Sequence, residues 1–180
     1  MAYLGLGANQ GERETMLARA VARLHAHPAV RIVRWSSLYE TEPVGPEGQG
    51  WYLNAVLEVE TSLCPVELLG ACKQIERDLG RRPGVRWGPR LIDIDIELFG
   101  RLRTRTRELE LPHPELPKRA FVLVPLAEVA PEAEIPGLGS VRSVLAGCND
   151  PHRVRFRRGP VWLDLNEAFC SLCGRGGAES

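Results

Sequence analysis

Two aspartates in one short segment are the residues of this chain best suited to chemistry. Asp93 and Asp95 stand two positions apart in the run LIDIDIELF. On a β-strand, residues at this spacing share one face and lie about 6 to 7 Å apart along the strand. Two such carboxylates can hold Mg²⁺ ions, which prefer oxygen ligands and keep positions for substrate phosphates. The pattern allows metal-assisted phosphoryl transfer, although spacing alone favours the polar solvent face of an antiparallel strand.

An arginine-rich loop lies directly before these aspartates. Arg86 and Arg90 frame the run RWGPR, and Arg81 and Arg82 lie a few residues upstream. Guanidinium groups bind phosphate oxygens through paired hydrogen bonds, so the loop brings cations for phosphate next to carboxylates for a metal. This context favours the chemical interpretation of the two aspartates.

Three glycines near the start of the chain are a second candidate for phosphate binding. Gly5, Gly7 and Gly11 lie between a predicted strand and a predicted helix, where backbone amides can bind anions. Their spacing differs from the dinucleotide-binding pattern G-x-G-x-x-G, and neither lysine belongs to a Walker A sequence. We therefore expect Gly5 and Gly7 to serve close packing and turns.

The elements that must position these residues follow from hydrophobic periodicity. Period-two alternation predicts strands, and apolar residues three to four apart predict helices. Alternation places Tyr52 and Asn54 on one face of their strand. The predicted strands cover 2–6, 30–37, 52–60 and 91–99, and the predicted helices end before Pro28 and begin at Pro65, with Gly80 as a left-handed cap. On the last strand the acidic side chains lie opposite an apolar face of Ile92, Ile94, Ile96 and Leu98.

The order strand, helix, strand, strand, helix, strand predicts an α+β fold with a ferredoxin-like βαββαβ core. We expect an antiparallel sheet with helices packed on one face and the open face free for ligands. A hairpin over 101–111 and short helices after it are predicted additions. At about 150 residues per domain, we expect one domain over 1–149 and a partly irregular C-terminal extension over 150–180.

Composition excludes several classes of protein. The 180 residues are 44% hydrophobic and 26% charged, and 23 basic residues balance 23 acidic ones. This balance leaves no net charge for a nucleic acid or an anionic membrane, and no apolar run approaches the roughly 18 residues that span a bilayer. Five cysteines, an odd number without a signal-like start, indicate the reducing cytoplasm. The C-x-x-C pair Cys170 and Cys173 lacks partners for a zinc site, so we expect it to be incidental.

The stretch RWGPRLIDIDIELFG resembles the signature of the 6-hydroxymethyl-7,8-dihydropterin pyrophosphokinase family. The likeness extends from residue 3 to about residue 131. Within it, five further segments resemble that family in the same order: YLGLGANQG, SSLYETEPVG, YLNAVLEVET, IERDLGR and LPHPELPKRAFVLVPL. The resemblance implies transfer of pyrophosphate from ATP to the hydroxymethyl group of a reduced pterin, giving AMP and the pterin diphosphate. It also implies two Mg²⁺ ions and a small-molecule enzyme, with a monomer favoured.

The resemblance also implies roles for individual residues. Asp93 and Asp95 match the metal ligands and, with Arg81 and Arg90, the catalytic residues. The implied ATP contacts are Glu76, Arg82, Arg90, Ile96, His113 and Arg119. The implied pterin contacts are Thr41, Val44, Tyr52, Asn54, Trp87 and Phe121. A structural turn stays an alternative for His113, which stands between two prolines, and ordinary core packing stays one for Tyr52 and Phe121.

Two departures from the family pattern fall near the implied site. Glu42 stands where a proline often lies beside the pterin, and Glu97 stands where an apolar residue is usual.

Two other functions share part of the sequence pattern. Ferredoxin-like sheets also bind RNA, but this chain lacks the aromatic run of such domains. Transferases that hold a nucleotide sugar with D-x-D share the metal chemistry but not the RWGPR run.

Overall fold

The computed structural model describes residues 1–43, 48–81 and 89–164. Val44, Arg82, Trp87, Cys170 and Cys173 therefore lie outside the described residues. The helices are α1 (Arg13–His25), α2 (Pro65–Asp78), α3 (Ala120–Val129) and α4 (Val141–Ala146). The strands are β1 (Ala2–Ala8), β2 (Val30–Trp35), β3 (Leu38–Thr41), β4 (Tyr52–Thr61), β5 (Asp93–Phe99), β6 (Thr104–Arg105), β7 (Glu110–Leu111), β8 (Glu134–Ile135), β9 (Gly139–Ser140) and β10 (Val154–Arg158).

One antiparallel sheet holds most of the strand residues. Its order is β10, β3, β4, β1, β5, and β2 pairs with the far half of β4. The register sets Gly5 between Val56 and Asp95, and Gly7 between Asn54 and Asp93. The two glycines therefore separate the aspartates of β5 from the polar end of β4.

The first hydrophobic core fills one face of this sheet. Alternate residues of β1, β4 and β5, such as Leu4, Leu57 and Ile94, pack against the apolar stripes of α1 and α2. The helix α2 begins with Pro65 at its first turn, and Gly80 follows its end with a φ of +92°. Both signals appear in the sequence, and the predicted elements are confirmed to within a few residues at their ends.

The expectation that helices cover only one face of the sheet is wrong. The helix α3 packs Val122, Leu123 and Leu126 onto the second face, where Tyr3 and Val56 complete another core. Its segment AFVLVPLAEV is apolar around most of its circumference, so burying it gains roughly 1.5 to 3 kcal/mol per large side chain. The end of this face near Gly5 and Gly7 faces a cavity rather than the second core.

The face on which Leu98 lies also differs from the expectation. Leu98 was expected on the same face as Ile94 and Ile96, but it lies in the second core beside Tyr3. The register between β1 and β5 shifts between Tyr3 and Leu4, which leaves one extra residue on β5. Such a bulge turns the following side chain to the other face of the sheet.

The segment after residue 149 joins the sheet. The strand β10 pairs with β3, and Trp162 and Leu163 enter the first core. The indole nitrogen Nε1 of Trp162 donates to the carbonyl oxygen of Ser36 at 2.8 Å. None of the described helices is long and apolar enough to cross a membrane.

Candidate active site

A cavity of about 560 Å³ opens between the second face of the sheet and the start of α3. Its floor is formed by β1, β4 and β5, and its walls by the start of α3, the segment after β7 and the end of β3. The sequence-predicted residues that line this cavity are Thr41, Tyr52, Asn54, Arg90, Asp93, Asp95, His113, Arg119 and Phe121. Nine residues from separate parts of the chain therefore meet in one place.

Gly5 and Gly7 form the part of the floor between the aspartates and the polar end of β4. A Cβ added to Gly7 would lie 2.9 Å from Asn54 Oδ1, and one added to Gly5 would lie 2.8 Å from Glu97 Oε1. Polar side chains of the neighbouring strands thus occupy the space that a Cβ would need at both glycines, which agrees with the expected role in close packing.

Asp93 and Asp95 project into the cavity from β5 and contact cationic side chains. Arg81 Nη2 lies 2.7 Å from Asp93 Oδ1, Arg90 Nε lies 3.6 Å from Asp93 Oδ2, and Lys73 Nζ lies 3.6 Å from Asp95 Oδ1. Burial and the neighbouring charge of Asp95 raise the pKa of Asp93 to about 6. Two like charges are therefore held close together at the edge of water, an arrangement that favours binding of cations.

Glu76 lies behind the aspartates rather than in the lining of the cavity. Its buried carboxylate accepts hydrogen bonds from the Ile94 backbone N–H at 2.7 Å and from Lys73 Nζ at 2.8 Å, and it pairs with Arg81. Although burial opposes the lysine charge, Asp95 and Glu76 raise the pKa of Lys73. Glu76 therefore fixes Lys73 and Arg81, two of the three cationic side chains that reach the aspartates among the described residues.

The side chain of Ile96 belongs to the first core and does not line the cavity. It points away from the aspartates because β5 alternates between the two faces of the sheet. Any part that Ile96 plays toward a nucleotide must come from its backbone at the edge strand β5.

The other half of the cavity combines two aromatic rings with a hydrogen-bonded amide. Tyr52 and Asn54 share one face of β4, as expected, and Phe121 faces them from α3. Asn54 Nδ2 donates to Thr41 Oγ1 at 2.7 Å, which fixes the orientation of the amide. The Arg119 guanidinium lies over the Phe121 ring at 5.6 Å from its centre. Rings and an oriented amide suit a flat, polar heterocycle.

His113 combines a structural turn with a place in the lining. Its Nδ1 accepts the Glu115 backbone N–H at 3.2 Å, and its own backbone N–H donates to the Glu97 carbonyl oxygen at 2.9 Å. Burial and the nearby Arg119 charge lower the pKa of His113, so its imidazole is neutral near pH 7. His113 therefore stabilises a turn and also lines the cavity, so the structural alternative and the proposed ATP contact are compatible.

The sequence profile of 7,8-dihydro-6-hydroxymethylpterin-pyrophosphokinase (HPPK) matches residues 3–131 of the chain. This chain belongs to the HPPK family. One relative is the 2-amino-4-hydroxy-6-hydroxymethyldihydropteridine pyrophosphokinase of Bacillus subtilis (strain 168). It is 52% identical over 134 residues, which cover 74% of this chain and 80% of that protein. The protein of the same name from Methylorubrum extorquens is 48% identical over 145 residues, covering 81% and 91% of the two chains.

Solved structures add a likeness of fold to this HPPK assignment. The crystal structure of a Plasmodium falciparum HPPK-DHPS triple mutant has a TM-score of 0.64 at 15% identity. The match covers 81% of this chain but only 42% of that longer chain. The likeness extends to the mixed helix and antiparallel sheet architecture, and the family resemblance deduced from the sequence is confirmed.

Sequence reasoning missed several residues that shape this HPPK site. Lys73 stands three positions before Glu76 on α2, a helical spacing that could have indicated the pair. Asn9 binds Arg90 through the backbone and through its side chain, at 2.9 and 2.7 Å, with no signal in the sequence. Within the described ranges, no group of three or more His, Cys, Asp or Glu is placed to hold a metal ion.

Proposed function

We propose that this chain transfers pyrophosphate from ATP to 6-hydroxymethyl-7,8-dihydropterin as a step of folate biosynthesis. Membership of the HPPK family supports this reaction, and the observation that carries it is one cavity with Asp93 and Asp95 at one side and Tyr52 and Phe121 at the other. The pterin hydroxymethyl oxygen attacks the β-phosphorus of ATP. The bond from this phosphorus to the oxygen that bridges it to the α-phosphorus breaks, AMP leaves with that oxygen, and the hydroxyl proton is released.

Asp93 and Asp95 are the proposed ligands of two Mg²⁺ ions. Both carboxylates face the cavity, and burial together with the neighbouring charge of Asp95 raises the pKa of Asp93. The pair of carboxylates fits hard divalent cations. When bound, such ions would neutralise charge on the transferring phosphates and make the hydroxyl more acidic. Arg81 and Arg90, which already contact Asp93, keep the carboxylate oriented and add positive charge at the same place.

Tyr52 and Phe121 are the proposed walls of the pterin site, with Asn54 and Thr41 as the polar groups that recognise the ring. The aromatic faces bind the flat heterocycle, and the oriented Asn54 amide reads its hydrogen-bonding edge. Val44 and Trp87 are proposed to complete this site from the family resemblance, since both lie outside the described residues.

The ATP phosphates are proposed to bind Arg90, His113 and Arg119, which line the cavity beside the aspartates. A neutral His113 donates or accepts a hydrogen bond without adding charge, while the two arginines supply charge. Glu76 and Ile96 are also proposed to contribute to ATP binding. Glu76 would act from behind the aspartates, and Ile96 through its backbone at the edge strand β5. Arg82, outside the described residues, stays a proposed contact.

The strand order β5, β1, β4, β3 supports a ferredoxin-like core within the mixed fold. We retain the proposed boundary between 1–149 and 150–180 as a division of the sequence only, since the family profile ends at residue 131 and β10 pairs with the sheet. We also propose that the protein acts as a monomer in the cytoplasm and that it binds small molecules only.

The reaction is tested by mixing purified chain, ATP, Mg²⁺ and the pterin, then separating adenine nucleotides by chromatography. We expect AMP to form only when the pterin is present. Formation of ADP would show single phosphoryl transfer and contradict the proposed reaction. Absence of both turnover and pterin binding by calorimetry would contradict the proposed site as well.

A further inference from the structure

The segment Asp150–Arg153 lies beyond the part of the chain that matches the family, yet it contacts both walls of the cavity. One contact reaches the first residue of α3, beside Phe121. The other reaches Glu42, next to Thr41 at the end of β3. The segment therefore joins the two elements between which the proposed pterin site lies.

Asp150 caps α3 from a distant part of the chain. Its Oδ2 accepts the Ala120 backbone N–H at 2.9 Å, while the residue before the helix, Arg119, makes no side-chain cap. A carboxylate at this position satisfies an otherwise unpaired N–H and complements the helix dipole. Ala120 stands between Arg119 and Phe121, so this bond fixes the turn that carries both side chains.

His152 holds the Asp150 carboxylate in place. Asp150 Oδ1 accepts the His152 backbone N–H at 3.0 Å and lies 2.6 Å from His152 Nδ1. Although burial opposes the charged form, the hydrogen bonds from His152 and Ala120 lower the pKa of Asp150. The cap is therefore an ionised carboxylate at neutral pH.

Arg153 binds Glu42 at the opposite wall of the cavity. Its backbone N–H donates to Glu42 Oε2 at 3.0 Å, its Nε donates to Glu42 Oε1 at 2.6 Å, and its carbonyl oxygen accepts the Glu42 backbone N–H at 3.1 Å. Val154 then pairs with Thr41, whose hydroxyl holds Asn54. Glu42 is one of the departures from the family pattern, and it lines the cavity.

We propose that Asp150 and Arg153 form a clasp that sets the distance between the two walls of the pterin site, which makes them positioning residues for pterin binding. The inference rests on the proposed function of this cavity. Two rings bind a flat molecule between them only when their separation is fixed, because small displacements of positioning groups cost affinity and rate. The ATP side is anchored mainly on β5 and α2, and Arg119 is the proposed ATP contact that the Asp150 cap also positions.

The test compares steady-state KM values for pterin and for ATP in Asp150→Ala and Arg153→Ala. Loss of the cap in Asp150→Ala is expected to raise the pterin KM about tenfold, with a smaller rise in the ATP KM because the cap also positions Arg119. Loss of the exposed Arg153 ion pair is expected to raise the pterin KM about threefold, with the ATP KM unchanged. Pterin affinity measured by calorimetry should fall in parallel. The clasp predicts a larger effect on pterin than on ATP in both variants, whereas a merely structural role would alter both KM values equally.

Two control variants separate the clasp from general destabilisation. Asp150→Asn keeps an oxygen for the Ala120 N–H, so it should restore most of the pterin affinity. Arg158→Ala, at the far end of β10, removes an exposed ion pair with Glu14 of α1 and should leave both KM values unchanged. Arg153 is largely exposed, so its variant tests the clasp even if Asp150→Ala does not fold.

The outcomes also distinguish this inference from the proposed function. Wild-type turnover with unchanged pterin KM in both variants would overturn the clasp and leave the reaction intact. Equal losses for pterin and ATP would overturn it in favour of a structural role. A wild-type protein that neither binds nor converts the pterin would overturn both proposals.

Discussion

At the scale of single residues, the two aspartates carry the most specific chemical expectation. Asp95→Asn keeps the size of the side chain but removes the charge that faces the cavity, so turnover should fall by about three orders of magnitude or more. AMP formation measures this loss, and circular dichroism should show an unchanged fold. The matched control is Asp78→Asn on the exposed surface of α2, which should keep normal turnover. Near-normal activity in Asp95→Asn would contradict the metal assignment.

Glu97 makes a prediction about pH. Its buried carboxyl has one oxygen, Oε2, without a hydrogen-bond partner among the described residues, and burial raises its pKa from 4.5 to about 8. The folded chain therefore keeps a proton that the unfolded chain releases, so stability falls as pH rises between these two values.

Glu97→Gln mimics the protonated side chain and removes this dependence. In metal-free buffer, we expect variant and wild type to be similarly stable near pH 4.5. The variant should then gain up to about 1.4 kcal/mol relative to the wild type for each pH unit toward 8. Urea unfolding at several pH values measures the difference. The exposed Glu108→Gln serves as the control, and parallel curves for wild type and Glu97→Gln would contradict a protonated Glu97.

At the scale of elements, α2 supports β5 through the buried Glu76. Glu76→Gln leaves Lys73 and Arg81 without their shared carboxylate, and both keep about a quarter to a third of their side-chain surface in water. Because water partly compensates them, we expect a loss of about 2 to 3 kcal/mol in unfolding free energy. Glu60→Gln, which breaks an exposed pair with Arg31, should cost less than about 1 kcal/mol. Equal losses in the two variants would contradict the supporting role of Glu76.

The same scale shows what the sequence could predict. Tyr52 and Asn54 are placed correctly by the sequence because successive side chains of a strand point to opposite faces, and α2 is bounded by its proline and glycine. Leu98 was misplaced because a bulge depends on the partner strand β1. The sequence indicates the helix α3 but not its packing on the second face of the sheet, because a helix that is apolar around most of its surface does not show which side it buries. Contacts such as Glu42 with Arg153 join residues 111 positions apart, and no local pattern encodes them.

At the scale of the whole molecule, the segment 150–164 should unfold together with the rest of the sheet. Trp162 is 9% exposed in the first core, and its indole N–H donates to Ser36. Trp162→Ala removes a large buried ring and leaves the Ser36 carbonyl without this donor, so we expect a loss of about 3 to 5 kcal/mol. The adjacent Val161 is 81% exposed, and Val161→Ala should change stability by less than about 0.5 kcal/mol.

Urea unfolding followed by circular dichroism and by tryptophan fluorescence distinguishes an integral segment from an appended one. An integral segment gives one transition that shifts to lower urea in Trp162→Ala with both probes, because the strand β10 and the first core are lost together. An appended segment would instead leave the main transition of Trp162→Ala where it lies in the wild type. Since β10 also carries the residues next to the clasp, an integral segment means that loss of the core beneath Trp162 weakens pterin binding as well as stability.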